Sequence, residues 1–200
     1  NEYDLQNLSA LIMKYTVNNE PVLELFPASG QLLPFAVAAE PLYIFDRYAE
    51  VNDFAAKGLN NEFYANRRLR KYANADNNFK DLPGNSFGLV YCFNEFFCGN
   101  EEYILRISKQ VLDLLHDGGK FIFNFLPHDQ SWAQVMSVNN ELSTVNYKKL
   151  LRELKFMGYE VLNFQLMPLK SSFIELQKGK NPPELRHKIS GGWAEIIDSQ

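Results

Sequence analysis

The chain has 200 residues, 46% of them hydrophobic, and a formal net charge of −4. That length fits one domain with or without an appendage, and the apolar fraction suffices for a sizeable core. The mild acidity excludes a strong electrostatic claim on nucleic acid, and no apolar run approaches the roughly 18 residues that a membrane-spanning helix needs.

Residues 1–20 read as an opening helix, with Leu5, Leu8, Leu11, Ile12 and Tyr15 at helical spacing and Pro21 after its end. Val22 to Phe26 is a short apolar strand of the kind covered on both faces. Residues 31–40 are apolar nearly all round and predict a packed helix, with Pro34 near its start. Pro41 to Asp46 predicts a second strand ending in an acid. Residues 49–66 are helical in composition, and Leu69 to Ala73 reads as a weak third strand. Phe87 to Phe93 reads as a central strand. Residues 101–116 form the clearest helix, with Asp117-Gly118-Gly119 as its stop signal. Lys120 to Leu126 predicts a strand and residues 127–143 an irregular stretch. A helix over 147–157, capped by Gly158, and strands over 159–166 and 172–177 complete the pattern. Cys92 and Cys98 lack metal-ligand spacing and read as two buried free thiols, which favours a reducing, cytoplasmic setting.

Strands alternating with helices predict an α/β layered fold with a mainly parallel sheet. Such sheets bind ligands in the crevice beyond the carboxyl ends of their strands. The residues expected there are Phe26–Gly30, Asp46, Asp76, Asn94, Glu95 and the run Pro127-His128-Asp129. Val22 to Gly30 has the order strand, tight turn, apolar run, which can aim backbone N–H groups at a ligand. Asp46 follows Gly30 by sixteen residues. That is near the spacing at which an acid accepts hydrogen bonds from ribose hydroxyls, and a carboxylate has two oxygens for a vicinal diol. The bland alternative is a strand-end acid that is solvated or caps the next helix.

Taken together, several segments resemble the class I S-adenosylmethionine-dependent methyltransferases of small-molecule type, over roughly residues 20 to 178. Val22-Leu23-Glu24-Leu25-Phe26-Pro27-Ala28-Ser29-Gly30 resembles the first motif, and Tyr43-Ile44-Phe45-Asp46 the acid motif of the second strand. Asp81-Leu82-Pro83-Gly84-Asn85-Ser86-Phe87-Gly88-Leu89-Val90 is similar to the approach to the fourth strand. The segments Val111 to Ile122 and Leu154 to Val161 are similar to those before the fifth and sixth. The resemblance implies a Rossmann-like fold, a seven-stranded mainly parallel sheet flanked by helices, and S-adenosylmethionine as cofactor. It implies that Glu24 helps hold the cofactor's amino group and that Gly30 closes the turn. Asp46 would take the ribose, Asp76 the adenine, and Asn94 would lie where strand four meets cofactor or substrate.

Phe26 stands where the family has its first glycine, Pro27 follows, and Ala28 replaces the second, so these three residues bear on cofactor affinity. The competing reading is a cofactor-free relative that serves as an interaction or scaffold module. A nicotinamide-binding protein is a weaker third reading, because G-x-G-x-x-G is missing. Methyl transfer works largely by positioning, with a base only where the nucleophile is protonated. The candidate bases are Glu95 and His128, with Asp129 beside the latter. No metal-ligand spacing is visible. Phe96, Phe97 and Trp132 are expected in loops over the ligand face, where they would line an apolar substrate pocket. Residues 1–178 are expected to form the domain. Residues 179–200, with Pro182-Pro183, Gly191-Gly192 and Trp193, form an appendage suited to a protein partner. The expected activity is methyl transfer to an oxygen or nitrogen of a small molecule.

Overall fold

The computed structural model describes residues 2–59, 68–140, 142–166 and 172–179. The elements run α1 (Glu2–Tyr15), β1 (Val22–Leu25), β2 (Leu42–Asp46), α2 (Ala49–Ala56), β3 (Leu69–Ala73), β4 (Phe87–Cys92) and α3 (Glu101–Leu114). They continue β5 (Leu115–Phe125), α4 (Ser131–Asn140), α5 (Tyr147–Met157), β6 (Tyr159–Gln165) and β7 (Ser172–Lys178). The seven strands form one sheet in the order β3-β2-β1-β4-β5-β7-β6. The ladders from β3 to β5 are parallel, whereas β7 runs antiparallel to both β5 and β6. The sheet is therefore mixed rather than purely parallel, because β7 inserts between β5 and β6.

Alternate residues along the central strands feed two cores. Leu23 and Leu25 of β1 join Phe87, Val90, Phe121 and Phe123 beneath Ile104, Ile107 and Val111 of α3 and Leu150 and Leu154 of α5. Val22 joins Ile44, Leu89, Tyr91 and Ile122 beneath Leu8 and Ile12 of α1 and Ala55 of α2. Period-two alternation on strands buried on both faces is what makes β1 and β4 read as unbroken apolar runs. Asn100 caps α3 by accepting the Tyr103 N–H at 2.9 Å. Asn146 caps α5 by accepting the Lys149 N–H at 3.2 Å, and Gly158 ends it at φ 110°.

Four stretches differ from the sequence expectation. Residues 31–40 do not form an α-helix: a short 3-10 turn spans Leu33–Ala36, and the bonds Leu33 to Gly30, Phe35 to Leu32 and Ala39 to Ala36 all reach back three residues. Pro34 has no N–H to continue an α-helical ladder, and Pro41 closes the stretch seven residues later. Helix α2 ends at Ala56; the remainder of the predicted 49–66 helix, from residue 60, lies outside the described residues. Helix α3 ends at Leu114, before Asp117-Gly118-Gly119, because Leu115 turns extended to pair with Phe87 and the glycines fall inside β5. Residues 131–140 form helix α4, which lacks an apolar stripe: Ala133 is buried while Val135 and Val138 are exposed. Cys92 is buried but Cys98 is exposed, so only one of the two thiols is a core group. Apart from its first residue, the expected appendage at 179–200 lies outside the described residues.

Gly30 locks the loop after β1 onto α2. It lies at φ 73°, and a Cβ there would come within 2.2 Å of the Ala55 carbonyl oxygen. Both the backbone conformation and the close approach require glycine. Gly30→Ala should lower stability to urea by more than about 2 kcal/mol; a loss under about 0.5 kcal/mol would contradict this packing role.

Candidate functional site

The carboxyl ends of β2, β1 and β4 stand side by side and form a crest. The loop beyond β1 carries three left-handed residues at alternate positions: Phe26 at φ 56°, Ala28 at 49° and Gly30 at 73°. For Phe and Ala such a conformation costs about 1–3 kcal/mol each and persists only where the surroundings hold it. Phe26 is held by its N–H donating to the Phe45 carbonyl at 2.7 Å, and Gly30 by its N–H donating to Pro27 at 2.8 Å. The loop thus keeps the backbone shape of a glycine turn with side chains added. Ala28 and Ser29 are exposed at its tip. The Phe26 ring is buried edge-on against Phe45, 6.0 Å between centroids.

Asp46 ends β2 and is buried. Its Oδ1 accepts the Tyr48 N–H at 3.1 Å, so the acid also fixes the chain as it enters α2. Burial pushes its pKa up, opposed by the Tyr48 and Arg47 backbone N–H groups and the Arg47 charge. Arg47, the next residue, reaches Glu95 beyond β4 in an ion pair and donates to the Tyr103 hydroxyl at 2.9 Å. Tyr103 donates to Glu95 Oε1 at 2.6 Å, and Asn77 donates to Tyr103 at 3.4 Å. The Arg47 guanidinium lies over the Phe26 ring, 4.8 Å from its centroid. Arg47, Glu95, Cys98, Gly99, Asn100 and Tyr103 line an open cavity of about 320 Å³.

Other expected site residues are placed unevenly. Glu24 lies within the sheet, buried, and accepts the Tyr91 hydroxyl at 2.9 Å. Loss of water pushes its pKa up to about 8, with the Tyr91 hydrogen bond working the other way. Asn94, at φ 69°, exchanges hydrogen bonds with Asn124 of β5: its N–H donates to Asn124 Oδ1 at 2.7 Å, and Asn124 Nδ2 donates to its Oδ1 at 3.0 Å. Asp76 is exposed in the loop after β3, while its neighbour Asn77 is buried at φ 53° with an Oδ1 that has no hydrogen-bond partner among the described residues. His128 is exposed beyond β5, its Nδ1 3.0 Å from Thr144 Oγ1. It lines a separate cavity of about 160 Å³ with Asp129, Asn146, Tyr147 and Lys148. Glu95 and His128 therefore belong to different cavities. Phe96 is fully buried against Tyr103, Phe121 and Phe123, so it belongs to the core and not to a ligand pocket. Among the described residues no group of three or more His, Cys, Asp or Glu is placed to hold a metal, and no helix is long and apolar enough to cross a membrane.

Arg47, Tyr103 and Asn77 were not legible as site residues. Arg47 and Asn77 each adjoin an expected residue, but nothing in their spacing shows that they point inward. Tyr103 reads as one more residue of a helix.

No family model matches the chain, and no curated protein matches it. Solved structures do. Magnesium protoporphyrin IX methyltransferase from Synechocystis, with S-adenosylhomocysteine bound, superimposes with a TM-score of 0.68 at 13% identity, over 88% of this chain and 84% of that one. A Methanosarcina mazei S-adenosylmethionine-dependent methyltransferase gives 0.67 at 15% identity, over 84% and 97%. A chain from the complex between a Haloferax volcanii methyltransferase activator and a putative methyltransferase gives 0.69 at 10% identity, over 89% and 92%. The chain has the fold of the class I S-adenosylmethionine-dependent methyltransferases.

The buried Glu24 makes stability depend on pH. Its folded pKa lies above its unfolded one, so between the two the folded state holds a proton that the unfolded state has lost. The Glu24 contribution to stability then falls as pH rises, by up to about 1.4 kcal/mol per unit, and levels off above about pH 8. Glu24→Gln should flatten this slope in urea unfolding between about pH 5 and about pH 8; equal slopes in the two proteins would contradict an uncharged buried Glu24.

Proposed function

We propose that the crest binds S-adenosylmethionine and that the chain transfers its methyl group to an oxygen or nitrogen of a small molecule. The observation that carries this reading is the loop after β1. Its backbone keeps left-handed residues at 26, 28 and 30, two of them without glycine, immediately beside Asp46 and Asn94 at the ends of the strands next to β1. A strained conformation kept at two residues that disfavour it is what a ligand-binding loop would retain. A likeness in fold to a methyltransferase solved with S-adenosylhomocysteine supports the same ligand class.

In this reading the exposed tip at Ala28 and Ser29 faces the cofactor, Asp46 takes the ribose hydroxyls, and Asp76 or the unpartnered Asn77 side-chain Oδ1 accepts from the adenine amino group. Asn94 is held in place by Asn124. Glu24 supports the loop from inside the sheet rather than touching the ligand, since its carboxyl is engaged by Tyr91. S-adenosylmethionine supplies the electrophilic methyl group; the protein orients the nucleophile and, where it carries a proton, accepts it. Glu95 suits that role better than His128, because it stands at the crest while His128 lines the other cavity. The small-molecule substrate is proposed for the cavity beside Glu95, and a protein partner for residues 179–200.

Phe26 favours a second reading, a cofactor-free protein that uses the fold as an interaction module. Its ring stands where a glycine turn would leave open space. Thermal unfolding separates the two. S-adenosylhomocysteine at about 100 times its dissociation constant should add about 2.7 kcal/mol of stability, and Asp46→Ala should remove most of that gain. No shift at about 1 mM ligand, in either the natural chain or Phe26→Gly, would overturn the cofactor reading.

A further inference from the structure

The crest that would seat the cofactor is spanned by side chains of the chain itself. Arg47 directly follows β2, Phe26 directly follows β1, and Glu95 lies just beyond β4. Because the strand order is β2, β1, β4, a contact between Arg47 and Glu95 must pass over the end of β1. The guanidinium meets both carboxylate oxygens, one through Nη2 and the other through Nη1 at 3.4 Å. Nη2 also donates to the Tyr103 hydroxyl, which in turn donates to Glu95. Beneath this triangle the Phe26 ring supplies a flat π face to the cation. A planar cation, a carboxylate, a phenol and an aromatic floor satisfy one another without any ligand.

The pair differs from an ordinary surface pair. The Arg47 and Glu95 side chains are 32% and 15% exposed, against 44% and 65% for Lys71 of the edge strand β3 and Asp53 of α2. A fork-to-carboxylate contact with extra partners is also the geometry in which arginine pairs hold best.

We propose that Arg47 and Glu95 form a latch across the cofactor crevice, closed in this structure, and that S-adenosylmethionine enters only when the Arg47 guanidinium leaves Glu95. The latch rests on the cofactor reading given above and adds regulation to the same site. It gives Phe26 a role: a ring at this position floors the latch, where glycine would leave the guanidinium unsupported. The apparent affinity for the cofactor is then its intrinsic affinity reduced by the fraction of molecules with the latch open.

Calorimetric titration of the 200-residue chain with S-adenosylhomocysteine tests this. Arg47→Ala and Glu95→Gln should each bind about tenfold tighter than the natural chain, with ligand-free melting as the check that each variant folds. Raising sodium chloride from about 0.05 to about 0.5 M should strengthen binding to the natural chain but not to Arg47→Ala, because the ligand carries no net charge and salt weakens the latch. Binding by Arg47→Ala alone would also support the latch. If the natural chain binds and both variants bind equally or more weakly, the latch is wrong while the cofactor reading stands. If neither the natural chain nor Arg47→Ala, Glu95→Gln or Phe26→Gly binds, the cofactor reading falls and the latch with it.

Discussion

The contact of Gly30 with the Ala55 carbonyl is the constraint on which the site depends. It fixes the loop after β1 against the last turn of α2, and residues 26 and 28 of the same loop are also left-handed. The parallel ladder of β1 with β2, extended by the Phe26 N–H to the Phe45 carbonyl, sets where Asp46 and Arg47 stand relative to Phe26. Gly30 cannot yield, because a Cβ there would meet the Ala55 carbonyl of the helix behind it. The strain at Phe26 and Ala28 is offset by two-sided burial of the neighbouring strands, where Val22, Leu23 and Leu25 lose all contact with solvent.

Electrostatics divide the crest into two parts. Glu24, inside the sheet, is held uncharged by loss of water and engaged by Tyr91. Above it, Arg47 pairs with Glu95, and the guanidinium pKa is raised by that bond. Tyr103 joins the pair from α3, and Asn77 ties the loop after β3 to the same hydroxyl. Gln110 of α3 holds that loop as well, accepting from the Phe79 N–H and donating to the Asn77 carbonyl, each at 3.0 Å. Helix α3 therefore positions both the latch and the loop in which the adenine contact was expected.

The fold was more legible than the site, for physical reasons. Strands β1, β2 and β4 are apolar on both faces and bounded by prolines, glycines or acids, so their places followed from pattern. The amphipathic α3 and the Gly158 cap of α5 were equally plain. The stretch 31–40 was misread as an α-helix because its composition is apolar, while its bonding is decided by Pro34 and by the contact of Gly30 with α2, which is not local. Helix α4 was missed because it carries no stripe. At the site, Asp46 was expected from its spacing to Gly30, and it does stand at the carboxyl end of β2. Arg47, Tyr103 and Asn77 were not expected, since a network across three strand ends and a helix has no signature along the chain. In the sequence Phe26 bears only on cofactor affinity; its place beneath Arg47 depends on the neighbouring strands.

A crystal structure of the chain grown with S-adenosylhomocysteine tests the central claim most directly. The account predicts the ligand's ribose on Asp46, its body over Ala28 and Ser29, and the Arg47 guanidinium withdrawn from Glu95. Ligand bound elsewhere, or bound at the crest with the Arg47–Glu95 pair intact, would contradict it.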